Sequence, residues 1–183
     1  MRILLLASAV SLLAAPAFAS PAYAQDAAQD DFVAPPVVMS TEHPAEEAVE
    51  PYEQSNAHAG ATPFEGTAMW EAFHGAEGVS RIVDGLIDRS VADPRIAETF
   101  VAHDLVRLRR VLKEQFGYIL GGPSTYTGRD METTHRDLGL QPSDMGALVE
   151  NLQIAMSDEG VAFPAQNRFL AKLAPMRRDV VTR

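Results

Sequence analysis

Residues 121–139 read GGPSTYTGRDMETTHRDLG. Met131 and His135 stand four apart in this stretch, which puts two side chains on one face of a helix. An imidazole ligates a metal through one ring nitrogen, and a thioether four residues earlier reaches the same object. A flat apolar group with a central metal suits such a pair. Judged by local chemistry alone, a histidine in this setting is more often a packed core or surface residue than a ligand, and that alternative stays open at this point. Turn chemistry surrounds the pair, with Gly121, Gly122 and Pro123 on one side and Gly128 nearer to it. Such loops cost conformational entropy and are commonly retained where they place a side chain. The chain contains no cysteine, so disulfides and thiolate metal sites are excluded.

The elements that must position these residues read as helices throughout residues 67–183. Val79, Ile82, Val83, Leu86 and Ile87 recur at helical spacing and make one apolar face. Pro94 ends that helix and disfavours a helical Asp93. A short helix is expected over Arg95–Val101. Asp104 then reads as an N-cap, followed by Leu105, Leu108, Leu112, Phe116 and Ile119 on one face. Arg107, Arg110, Lys113 and Glu114 fall on the other. Gly121 and Gly122 stop this helix as left-handed glycines do. A further helix is expected through Met145, Leu148, Leu152, Ala155 and Met156, with Ser143 as its cap and Gly160 as its end. In the last helix Phe169, Leu173 and Met176 face inward, and Arg177 and Arg178 suit its C-terminal end. The fold class is all-α.

The first 24 residues have a basic Arg2, an apolar run from Ile3 to Ala15 and a small-residue stretch ending at Ala24. That pattern is a secretory signal. The expected location is a bacterial periplasm, without stable membrane insertion after cleavage. Residues 25–66 carry nine acidic side chains, no Lys or Arg, and clustered Pro and Ala; they read as a disordered linker. Residues 67–183 hold 16 acids and 14 bases. The net charge of −10 is therefore a property of the linker, and no nucleic-acid partner is expected.

The stretch LGGPSTYTGRDMETTHRDLGL resembles the proximal segment of group I truncated hemoglobins. VADPRIAETF, RLRRVLKEQF and LAPMRRDVV resemble three further segments of that family, in the right order from about Met69 to Val181. The resemblance implies a two-over-two helical sandwich around heme b. It implies His135 as the proximal iron ligand. Phe100, Leu108, Leu112, Phe116, Tyr126, Met131 and Leu140 would line or approach the heme, and Arg129 would meet a propionate, with Arg109 and Arg110 as further candidates for that role. The resemblance also implies a diatomic gas ligand, O2, NO or CO.

The chain departs from the family pattern where it bears on function. Ile87 and Leu112 fall where many members carry a Tyr and a Gln. With Leu108 they would make the distal side apolar. A hydrogen bond to a partly charged bound ligand contributes about 1.5–3 kcal/mol, so oxygen should leave faster than from polar pockets, while CO and NO need the donor less. Gln115 could swing inward to supply one. His74 replaces a glycine between the first two helices and is expected to face solvent. His103 could reach the iron only if its loop collapsed inward. The leading expectation is an exported gas-binding heme protein. The alternatives are an NO dioxygenase, a heme redox or electron-transfer protein with a redox partner, and a heme-free interaction domain.

Overall fold

A computed structural model of the protein describes residues 43–183. The leader read over residues 1–24, and residues 25–42 of the expected linker, lie outside the described residues. Among the described residues seven α-helices follow one another: α1 (Ala68–Ala72), α2 (Gly75–Ala92), α3 (Leu105–Ile119), α4 (Met131–His135), α5 (Pro142–Asp158), α6 (Phe163–Leu173) and α7 (Arg177–Val180). There is no strand among the described residues, and no helix there is long and apolar enough to cross a membrane. α2 packs on both α3 and α5, and α5 packs on α6. These four form the two-over-two sandwich. Its core is filled by Ile82, Val83 and Ile87 of α2, Phe116 and Ile119 of α3, Met156 of α5 and Phe169 of α6. Phe169 meets Phe73 and Phe116 edge to face, with ring centroids 5.1 and 5.0 Å apart, the arrangement favoured by the ring quadrupole.

Several helix ends follow their sequence signals. α2 stops at Ala92 and Asp93 is extended, because the following Pro94 excludes a helical conformation there. Asp104 caps α3, its Oδ1 accepting the N–H groups of Val106 and Arg107 at 2.9 and 3.0 Å. Gly121 is left-handed at φ 83°. A Cβ there would stand 2.5 Å from the Gly66 carbonyl, so both the turn and the close approach require glycine.

Other ends differ from expectation. The cap of α5 is Gln141, two residues before Ser143. Pro142 occupies the first helical position, where its missing N–H costs nothing, and the Asp144 carboxylate accepts the Gln141 N–H at 2.8 Å. The last helix is not continuous. Pro175 removes a backbone donor, α6 ends at Leu173, and a tighter turn over Ala174–Met176 leads into α7. Arg177 and Arg178 therefore open α7 rather than close a long helix. The short helix expected over Arg95–Val101 is a single tight turn, Ala97–Phe100.

The largest difference lies before α1. Residues 43–66 read as part of a disordered linker, but they pack against the helices. Asn56–Ala59 form a tight turn capped by Ser55, and Ala59 is wholly buried. The Phe64 N–H donates to the Ile119 carbonyl at 2.8 Å. Glu46 is buried against Arg110, with Oε1 2.6 Å from Nε. Ion pairing and a few anchors hold this stretch, so its low overall hydrophobicity did not forecast its order.

His74 sits at the left-handed junction between α1 and α2, at φ 59°. It is half exposed, as expected, but its Nδ1 lies 2.9 Å from Glu159 Oε1. Arg81 adds a two-pronged contact to the same carboxylate, at 2.8 Å on each oxygen. These partners, Arg81 foremost, hold the Glu159 carboxyl at about 2. A depressed folded-state value means that the stabilisation is fully present above the unfolded value, near 4.5, and is lost as pH falls toward 2. Arg81 faces water, which limits the contribution to about 1 kcal/mol. Glu159→Gln is expected to lower the unfolding free energy read from urea titration at pH 7 by that amount, with the difference from wild type shrinking as pH falls through 2. A gap as large at pH 2 as at pH 7 would contradict this assignment.

Candidate functional site

α4 is only five residues long and cannot hold itself. Asp130 caps it, accepting the Thr133 N–H at 2.8 Å. The loop before it is pinned by Tyr126, which is 3% exposed. The Tyr126 hydroxyl donates to the Arg129 carbonyl at 2.8 Å, and its N–H donates to Asn56 Oδ1 at 2.8 Å. Burial pushes this phenol far above its ordinary value, so it stays a donor. Gly128 lies under the ring, where a Cβ would stand 2.2 Å from the hydroxyl.

This scaffold fixes His135. Its Nδ1 lies 2.7 Å from the Met131 carbonyl. A carbonyl only accepts, so the proton sits on Nδ1 and Nε2 carries the lone pair. Burial pushes the imidazole below its ordinary pKa, and nearby His103 adds to the shift against the Met131 bond. The ring is therefore neutral at pH 7, the form that ligates a metal.

His135 lies on the wall of a cavity of about 560 Å3. A second space of about 380 Å3 adjoins it, sharing Phe100, Leu108, Val111, Thr134, His135, Met145, Leu148 and Val180. Ligand pockets commonly span roughly 300–1,000 Å3. Ile87, Leu112, Phe116, Tyr126 and Met131 line the larger space, Leu140 the smaller, and Phe100 and Leu108 both. The structure thus brings these expected site residues together.

Arg129 is the exception. It lines neither space; its Nη2 donates to the Glu50 carbonyl at 3.2 Å and its guanidinium stacks on Tyr52 at 4.9 Å. Arg109 is held by Asp84 and Asp88, and Arg110 by Glu46 and Glu114. None of the three lines the cavity: carboxylates hold Arg109 and Arg110, and a backbone carbonyl and an aromatic ring hold Arg129. Two other guanidinium groups line the space: Arg177 in the larger cavity, and Arg107 at the mouth, 15% exposed, its Nη2 donating to the Glu47 carbonyl and its Nε 3.5 Å from Glu46 and 3.7 Å from Asp104. The place of Arg107 on the charged side of the sequence pattern concealed it. The α5 wall, Met145, Leu148 and Leu152, was legible as an apolar face but not as part of a site.

Two neutral polar side chains at the cavity, Gln115 and Thr134, are committed elsewhere. Gln115 is 5% exposed, and its Nε2 donates to the Ala59 carbonyl at 2.8 Å and to Met131 Sδ at 3.4 Å. The Thr134 hydroxyl donates to the Asp130 carbonyl at 2.8 Å. The walls contributed by Ile87, Leu108 and Leu112 offer no side-chain donor. Apolar walls, one imidazole lone pair and a guanidinium at the mouth fit a flat apolar group that carries a metal and a carboxylate.

A family model described as bacterial-like globin matches residues 68–182. The chain belongs to this family. Among relatives, this globin is 27% identical over 117 residues to the group 1 truncated hemoglobin GlbN of Nostoc sp. (strain MUN 8820), covering 64% of the chain and 99% of the relative. It is 26% identical over 118 residues to the corresponding protein of Mycolicibacterium paratuberculosis, covering 64% and 87%. Its fold matches the truncated hemoglobin of Tetrahymena pyriformis in the Fe(III) form with a TM-score of 0.60 and 23% identity, over 63% of the chain and 98% of that structure. The 2/2 hemoglobin of Synechococcus sp. PCC 7002, in the cyanomet state with covalently attached heme, matches with a TM-score of 0.59 and 26% identity, over 63% and 98%. The group I resemblance read in the sequence stands, and so does the truncated-globin fold.

Proposed function

We propose that this globin is an exported heme b protein that takes a diatomic gas, with His135 as the proximal ligand. The observation that carries the reading is the His135 imidazole, neutral and oriented through Nδ1, on the wall of an apolar cavity. Heme b held there by His135 would supply an iron able to bind a diatomic gas. The chain's own residues do the rest. The Met131 carbonyl fixes the tautomer and the angle of the ring, as outer-shell acceptors do for metal-bound histidines. Ile87, Leu108 and Leu112 would keep their part of the cavity apolar and exclude water from it. Arg107 would meet a propionate, a pairing that guanidinium geometry favours. The apolar leader supports export to a periplasm.

Absorption spectra of the purified protein, after addition of hemin, test this reading in the ferric, ferrous and CO-bound forms. A Soret band that shifts on reduction and again with CO is expected. A folded protein that stays colourless would leave only a helical domain without a cofactor. An NO dioxygenase has less support, since a pocket without a donor retains oxygen poorly.

A further inference from the structure

We propose that residues 46–53 form a strap that closes the mouth of the heme cavity and holds the cofactor in, with Glu46 as its latch. The inference rests on the heme reading and adds a part to the site. The family match begins at residue 68, so the strap lies outside the matched globin segment.

Its position is specific. Glu47 and Val49 line the mouth of the cavity together with Phe100, His103 and Arg107. Without them the space between the start of α3 and the end of α4 would open to solvent on that side. The anchors lie at both ends of the segment. At one end the Glu46 side chain is 2% exposed. Its oxygens lie 2.6 and 3.0 Å from two nitrogens of Arg110 and 3.5 Å from Arg107 Nε. The Glu47 N–H donates to Asp104 Oδ2 at 2.8 Å, and Arg107 Nη2 donates to the Glu47 carbonyl. Asp104 therefore does two jobs, capping α3 with one oxygen and pinning the strap with the other. At the far end the Tyr52 hydroxyl donates to the Thr127 carbonyl at 2.9 Å.

Glu46 is the critical member. A buried carboxylate is held only by its partners, and removing its charge leaves those partners uncompensated. The segment has few apolar contacts of its own, so loss of the ion pair should free it. A free strap uncovers the cofactor's edge and Arg107 together.

The test measures hemin transfer from the loaded protein to an excess of a heme-free acceptor globin, alongside amide exchange at Glu47 in the heme-free protein. Glu46→Gln is expected to release hemin about three- to tenfold faster than wild type. Tyr52→Phe, which removes one neutral hydrogen bond, should release it about twofold faster. Glu159→Gln, an ion-pair loss remote from the cavity, should leave the rate unchanged. The Glu47 amide should be protected in the wild type and exposed in Glu46→Gln. Equal release rates for Glu46→Gln and wild type overturn the proposal, as does a Glu47 amide that exchanges freely in the wild type. A wild type that takes up no hemin sinks the heme reading and the strap's purpose with it. A protected Glu47 amide in that protein would still show the segment docked, which tells the two failures apart.

Discussion

His135→Ala is expected to abolish the Soret band that hemin gives the wild-type protein. The argument starts from the hydrogen bond to the Met131 carbonyl, which assigns the proton to Nδ1 and the lone pair to Nε2. Removing an outer-shell partner of a metal ligand commonly costs 10–100-fold in affinity, so loss of the ligand itself should cost more than about hundredfold. Alanine leaves a gap of imidazole shape on the cavity wall. Free imidazole added to the variant should occupy that gap and restore the band, which a merely misfolded protein would not permit. His103 is the only other histidine that lines the cavity among the described residues. It lies exposed in the loop before α3, and His103→Ala should leave the spectrum unchanged. A band that survives His135→Ala, or one that vanishes with His103→Ala, would move the iron to another ligand.

How much of this site the sequence carried depends on the kind of force that positions each residue. The faces of α2 and α3 were legible because burial imposes a 3.6-residue period. Ile87, Leu108, Leu112 and Phe116 fell on those faces and do line the cavity. Asp104 was legible as a cap because a carboxylate before an apolar periodic run satisfies helix N–H groups locally. Arg129 was misplaced because nothing local distinguishes an arginine aimed at a cofactor from one captured by a distant segment. Here Glu50 and Tyr52, far away in sequence, take it. The same cause hid the strap. Glu46 finds its partners 64 residues along the chain, and such a pairing leaves no periodic trace. Composition averages argued for disorder, yet isolated residues do the anchoring: Ala59 is wholly buried, and Gly60 would bring a Cβ to 3.0 Å from Met131 and Met176. Ser55 before the tight turn and the aromatic residues Tyr52 and Phe64 were the signals that could have been weighed against those averages.

The apolar wall that Ile87, Leu108 and Leu112 give the cavity carries the second large expectation, that Ile87→Tyr slows oxygen dissociation tenfold or more. Ile87 is 1% exposed on α2, and its side chain meets the 560 Å3 space. The added ring therefore has a cavity to enter, one that Leu108 and Leu112 also line. Two neutral donors that line this space are spoken for. Gln115 is tied to the Ala59 carbonyl and the Tyr126 hydroxyl to the Arg129 carbonyl. A new phenol in this low-dielectric space would find the ligand as its best acceptor. A hydrogen bond to a partly charged group is worth about 1.5–3 kcal/mol, and each 1.4 kcal/mol is about tenfold. CO, which carries little charge, should leave at nearly the wild-type rate. That contrast separates a polar effect from a steric one, because a ring that merely narrowed the pocket would slow both gases together. Stopped-flow oxygen release and CO replacement by NO measure the two rates on the same preparation. If the substitution leaves oxygen release unchanged, a donor already reaches the ligand, and Gln115→Leu becomes the variant that should accelerate it.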